Sequence, residues 1–137
     1  MRQDARSRNR HFYRWRAVLN HPYFLLGFCF LLTHEMDAIR CKEWKVFPVT
    51  SRMGEEAGYV AFTALHVPLY ALILWGLFGG DGVNRGLLVG LDVFFVGHVV
   101  LHLLFINRPE YRFRSAFSWT LILGAGAFGA IDLLTFL

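Results

Sequence analysis

Charged residues are scarce in this chain of 137 residues, because Asp, Glu, Lys and Arg together make up 18% of it. Soluble domains carry about 25%. Disordered chains combine few apolar residues with a high net charge. Here 55% of the residues are hydrophobic and the formal net charge is +4, so disorder is excluded.

Cysteine is also nearly absent. The two cysteines, Cys29 and Cys41, are too few for a disulfide scaffold. They do not form a Cys-x-x-Cys motif, so little supports a thiol oxidoreductase. We expect Cys29 to be a buried apolar residue and Cys41 to be incidental.

Long apolar stretches are what the chain does contain. A membrane-spanning helix needs about 20 mostly apolar residues, and four such stretches cover about 21–39, 57–78, 87–106 and 116–137. The four tryptophans fall near the ends of these stretches, where interfacial aromatic belts form. The sequence therefore predicts an all-α, integral membrane four-helix bundle, with residues 1–137 forming a single transmembrane domain.

A basic segment, 1–19, precedes the first stretch and holds six arginines in its first sixteen residues. Such a run can bind nucleic acid, but no nucleic-acid-binding module follows it. We therefore expect the lipid bilayer, and no nucleic acid, as its partner. Basic residues divide evenly between the two sides of the predicted bundle. The dense N-terminal cluster favours an orientation with both termini in the cytoplasm, and we expect the membrane to be a bacterial inner membrane.

Small residues recur four apart in the last stretch, as Ala125 with Gly129 and Gly126 with Ala130. This spacing lets helices pack closely in a membrane. Packing within one chain and assembly of a homo-oligomer produce the same pattern, so both stay open.

Ionisable residues inside membrane helices are costly and are functional candidates by default. Five of them, on three helices, are predicted to lie within about 14 Å of the same end of the bundle at 1.5 Å per residue. They are His34, Asp37, His66, His98 and His102. Any one histidine could instead make an interhelical hydrogen bond. A shared depth on three helices favours a common site.

The spacing of these residues predicts a metal site. His98 and His102 lie four residues apart on one helix face, as a two-ligand chelate requires, and His34 and Asp37 lie three apart. We predict His34, His66, His98, His102 and Asp37 as ligands. Asp37 and Glu35 are the candidate catalytic carboxylates, although Glu35 lies about 100° around the helix from His34. Zinc is the expected metal, and iron is the alternative.

Three other polar residues lie towards the opposite end. Asp92 lies about 20 Å from the predicted site's end of the bundle, and either pairs with the last helix or serves the other side. We expect Asp132 to be interfacial and His21 to be solvated or to contact headgroups. Ser118 begins the last helix at the depth of the site, where it could supply a hydroxyl contact.

Three short motifs carry a family resemblance: HEMDA at His34–Ala38, a lone His66, and HVVLH at His98–His102 followed by NRP at Asn107–Pro109. Together they resemble the small bacterial HXXEE-type membrane proteins, which are suspected of binding metal through these motifs. Asp37 and Ala38 stand where that family has two glutamates. The site is also similar to that of intramembrane zinc hydrolases of the alkaline ceramidase and adiponectin-receptor type. These have seven spans, so the likeness is one of site only.

The expected function is that of a membrane-embedded zinc hydrolase acting on a lipid or an amphipathic amide or ester. Zinc held by three protein ligands keeps a position for water. The alternatives are an iron-dependent membrane oxidase or hydroxylase, a b-type haem electron-transfer module, and a non-catalytic metal-binding, transport or scaffold protein.

Overall fold

A computed structural model describes residues 21–79 and 83–136 of the chain. Within these ranges it contains four long helices and no strand: α1 (Pro22–Cys41), α2 (Glu55–Phe78), α3 (Arg85–Phe105) and α4 (Ala116–Phe136). Two short 3-10 helices, Glu43–Lys45 and Thr50–Arg52, lie between α1 and α2. The predicted all-α fold is confirmed, and the helix bounds agree with the predicted stretches to within two residues. The predicted basic segment, 1–19, lies outside the described residues.

Local sequence signals explain several helix ends. Pro22 is the first residue of α1, where its missing N–H costs nothing. Lys42 ends the same helix in the left-handed conformation, with φ 56°. The side chain of Asn84 caps α3 by accepting a hydrogen bond from the backbone N–H of Leu87 at 3.1 Å.

Three of the helices are long and apolar enough to cross a membrane: Glu55–Phe78, Arg85–Phe105 and Ala116–Thr135. Their apolar 18-residue stretches have mean hydropathies of 1.8, 2.1 and 1.6. The chain is therefore consistent with a membrane protein. The last two turns of α1 contain Glu35, Asp37 and Arg40, and the crossing of the membrane by α1 stays a prediction.

The core forms where α4 packs along both α1 and α3, while α1 and α3 contact each other much less. Phe24, Phe28 and Phe95, here called the aromatic layer, stack with ring centroids 5.9 to 6.4 Å apart. In contrast, α2 buries only Gly58 and Leu77. The bundle is thus a three-helix core with α2 attached at its side.

Small residues on α4 permit this close packing. Ala125 is fully buried, Gly124 faces Phe30 of α1, and Gly126 faces Val99 of α3. Gly129 lies against the backbone of α3 at Asp92. Three of the residues predicted to mediate helix packing, Ala125, Gly126 and Gly129, therefore do so within the chain, and a homo-oligomer stays a prediction.

Replacement of Gly129 by alanine tests this packing. The added Cβ atom would lie 3.0 Å from the backbone oxygen of Asp92 and 3.0 Å from Cβ of Phe95. We expect Gly129→Ala to lower the free energy of unfolding by about 1–3 kcal/mol through overpacking. Gly97→Ala is the matched control on α3, because its Cβ atom would meet nothing within 4 Å. Unfolding in detergent should separate the two variants, and equal stabilities would contradict this account of the α3–α4 contact.

Candidate metal centre

Three of the predicted ligands, His34, His98 and His102, form a compact group that is called here the histidine cluster. The Nε2 atom of His102 lies 3.2 Å from that of His34 and 3.1 Å from that of His98. One candidate ligand atom from each residue lies within 4.8 Å of those of the other two. All three side chains are buried, at 0 to 7% exposure. The imidazole of His34 on α1 therefore meets those of His98 and His102 on α3.

The segment between α3 and α4 covers this cluster. The ring of Phe113 packs against His34 and His102, with centroids 5.2 and 4.8 Å apart. The hydroxyl of Tyr111 lies 3.1 Å from Nδ1 of His102. Because one nitrogen of His102 bonds to Tyr111, its ring is held with Nε2 facing the other two histidines.

The close contacts cannot all be hydrogen bonds. The Nε2 atom of a neutral imidazole offers one proton or one lone pair, so His102 can form a good hydrogen bond with only one of its two neighbours. A cation at the centre would accept a lone pair from all three rings. Zinc–nitrogen bonds of about 2.0–2.1 Å place tetrahedral ligand atoms roughly 3.3 Å apart, close to the 3.1 and 3.2 Å found here. The donor set thus fits a transition metal.

One carboxylate that is not among the predicted site residues adjoins the cluster. Oε1 of Glu43, in the first 3-10 helix, lies 3.6 Å from Nε2 of His102. Burial raises the pKa of Glu43 to about 8, and the charge of Glu35 adds to this. Burial likewise raises the pKa of Tyr111 to about 12. The position of Glu43 just after α1, at the same end of the bundle, was the signal that could have identified it.

A small cavity lies beside these groups. It has a volume of about 20 Å³ and is lined by Glu43, His98, His102 and Tyr111 together with apolar side chains. This volume is enough for one water molecule. The cluster therefore has room for a water next to both a carboxyl group and a phenol.

The structure places His66 and Glu35 apart from the cluster, as a pair of their own. Nε2 of His66 lies 3.0 Å from Oε2 of Glu35, and its Nδ1 lies 2.7 Å from the carbonyl oxygen of Phe62. A carbonyl only accepts, so Nδ1 carries a proton. The contact with Glu35 then needs one further proton, on either residue. Both nitrogens of His66 are thus engaged in this arrangement.

Asp37 also lies outside the cluster. It accepts hydrogen bonds from the Ser118 hydroxyl at 2.6 Å and from Arg40 at 2.7 Å. It thereby links α1 to the first turn of α4, and the expected polar role of Ser118 is found there. The thiol of Cys41 lies 3.8 Å from the same carboxylate and is buried, whereas Cys29 is exposed. The expectation for the two cysteines was therefore wrong, because Cys41 follows Asp37 by one helical turn and faces the core.

Asp132 and His21 contact each other, where solvent or headgroup contacts were expected for His21, and the interfacial depth of Asp132 stays a prediction. Asp132 is 1% exposed, and its carboxylate lies 3.2 Å both from the backbone nitrogen of Phe24 and from Nδ1 of His21. Because α1 packs along α4, the start of α1 closes over Asp132. The His21 side chain is 12% exposed. The side chain of Asp132, near the end of α4, is thus buried against the start of α1.

Fold and site together define a small helical protein with apolar, span-length helices and a buried three-histidine cluster. The chain belongs to a family of unknown function, DUF6713, which matches residues 20–137. No curated protein and no solved structure matches it. The resemblance to HXXEE-type proteins and to intramembrane zinc hydrolases stays a prediction.

The link between Asp37 and α4 can be tested by removing one hydroxyl. Ser118→Ala deletes the closest donor to a buried carboxylate, and we expect a loss of about 1–3 kcal/mol in the free energy of unfolding. Thr120→Ala is the control, because Thr120 is exposed and bonds only to its own helix at Ala116. Thermal unfolding in detergent measures both. A Ser118→Ala protein as stable as the control would contradict a structural role for this bond.

Proposed function

We propose that this chain is a membrane-embedded metalloprotein that binds one zinc ion through His34, His98 and His102 and hydrolyses a lipid or amphipathic substrate. The convergence of the three Nε2 atoms carries this proposal. A bacterial inner membrane, with both termini in the cytoplasm, is the location we propose.

The number and type of ligands favour a single zinc ion. Three imidazoles and an adjacent carboxyl group are typical of zinc sites that keep one position open. A dinuclear iron centre needs about six histidine or carboxylate ligands, and the carboxylates of Asp37 and Glu35 are engaged elsewhere. A haem needs space between two axial ligands, whereas these imidazole rings touch edge to face at 4.6 to 4.9 Å.

The chemistry of hydrolysis assigns roles to neighbouring side chains. A bound zinc ion lowers the pKa of a coordinated water to about 7 and polarises a carbonyl group. Glu43 would accept a proton from a water in the small cavity, since it is the carboxyl group nearest to the cluster. Glu43 would then pass that proton to the leaving group of the substrate. Tyr111 would hold the ring of His102.

A groove between α1 and α2 offers an approach for an apolar substrate. It has a volume of about 450 Å³ and is lined by Leu32, Met36, Val67 and the Glu35–His66 pair, among others. Pockets of 300–1,000 Å³ are typical of small-ligand sites. The charge of Glu35 acts on Glu43, so this groove lies near the cluster.

Metal analysis of the detergent-purified protein, loaded with zinc, tests the metal site. We expect about one zinc per chain in the wild type, and near-complete loss in His34→Ala and His98→Ala. His66→Ala is the matched control and should keep its zinc, because His66 bonds to Glu35 and Phe62 instead. A wild type that binds no zinc, or an His98→Ala protein that binds as much as the wild type, would show that the assignment is wrong.

The hydrolytic step is tested separately, with Glu43→Gln. The zinc-loaded variant should keep its metal but lose about 10²–10⁴-fold in kcat on a fluorogenic long-chain acyl ester or amide, the range typical of a lost acid–base group. Glu110→Gln removes an exposed carboxylate and should leave kcat unchanged.

One observation favours a second candidate function. The cavity beside the cluster admits a water and nothing larger. A cavity of this size suits a metal ion that is stored or that stabilises the fold. Full zinc binding by a wild type that turns over neither substrate would support this function over hydrolysis.

A further inference from the structure

A second polar site lies at the end of the bundle opposite the histidine cluster. It is a cavity of about 440 Å³ at the start of α3 and the end of α4. Its charged lining residues include Arg85, Asp92 and Asp132, and its aliphatic ones are Leu88, Val89 and Leu133. The aromatic layer lies between this cavity and the cluster.

Asp92 is the residue that this arrangement leaves facing another acid, Asp132. The side chain of Asp92 is fully buried, and neither carboxylate oxygen has a hydrogen-bond partner. Asp132, its acidic neighbour, already accepts from Phe24 and contacts His21. A buried ionised carboxylate without a counter-charge is strongly unfavourable. The site therefore needs a positive charge at Asp92, either a proton or a bound cationic group.

The size and lining of the cavity indicate what supplies that charge. Within the described residues, a group of side chains that could hold a metal ion is found at the histidine cluster and not in this cavity. A volume of about 440 Å³ also far exceeds the needs of one ion. An ammonium group has three N–H donors for the two oxygens of Asp92. Exposed Arg85 suits a nearby phosphate, and the aliphatic residues suit methylene groups.

We infer that this cavity binds a phosphoethanolamine group, with its ammonium on Asp92 and its phosphate on Arg85. The ligand is either the headgroup of a phospholipid or a soluble phosphoethanolamine. The inference does not depend on metal binding or on hydrolysis at the histidine cluster.

Lipid retention tests this inference. The full-length protein is purified from mixed micelles of phosphatidylethanolamine and phosphatidylcholine, and bound lipid is measured by native mass spectrometry. Phosphatidylcholine has no N–H donor on its headgroup, so the wild type should retain phosphatidylethanolamine preferentially. We expect Asp92→Asn to retain about tenfold less, the fold-change of a lost charge-assisted hydrogen bond. Glu56→Gln, which removes an exposed carboxylate, should behave like the wild type.

A second variant covers the possibility that Asp92→Asn fails to fold. Val89→Trp fills the cavity and keeps the carboxylate, and it should also lose the lipid. Circular dichroism and gel filtration in detergent report whether either variant is folded. Displacement of the lipid by soluble O-phosphoethanolamine supports a headgroup site open to both sources. Retention without displacement supports a site for the membrane lipid.

Two results would overturn the inference. One is a wild type that retains both lipids equally. The other is an infrared band of a protonated carboxyl group that disappears in Asp92→Asn while lipid retention stays the same, since Asp92 would then hold only a proton.

Discussion

The packing of α1 and α3 against the small residues of α4 is the contact on which the histidine cluster depends. His34 and His102 approach to 3.2 Å, yet the helices that carry them contact each other much less than each contacts α4. Gly124, Gly126 and Gly129 let both helices approach the α4 backbone. The hydrogen bond from Ser118 to Asp37 then fixes α1 near the end where His34 lies. A helix without a single histidine thus sets the distances between the imidazoles.

A second constraint is that polar groups in an apolar bundle must find partners inside it. Most of them do so in pairs that join two elements: Glu35 with His66, Asp37 with Ser118, and Asp132 with Phe24. The groups in each pair are hydrogen-bonded to each other, so they are not free to bind a ligand. Among the buried side chains left with unmet bonding capacity are His34 of the histidine cluster and Asp92, together with Trp44 and Thr63.

The sequence predicted the fold closely and the site in part. Helix bounds follow from apolar runs, which are local, and the i, i+4 spacing of His98 and His102 fixes their common face. Spacing along one helix does not determine which neighbour that face meets. His66 and Asp37 therefore shared a predicted depth with the cluster but bond elsewhere. Glu43 and Tyr111 reach His102 through the path of two connecting segments, and that path has no periodic signal in the sequence.

The aromatic layer has a consequence for how charge can move through the molecule. Phe24, Phe28 and Phe95 offer no proton acceptor or donor on their rings, and they separate Asp92 and Asp132 from the cluster. They form an apolar barrier between two polar ends. Within the described residues, these rings cannot relay a proton between Asp92 and the histidine cluster, so a change of protonation at one end is not passed through them to the other.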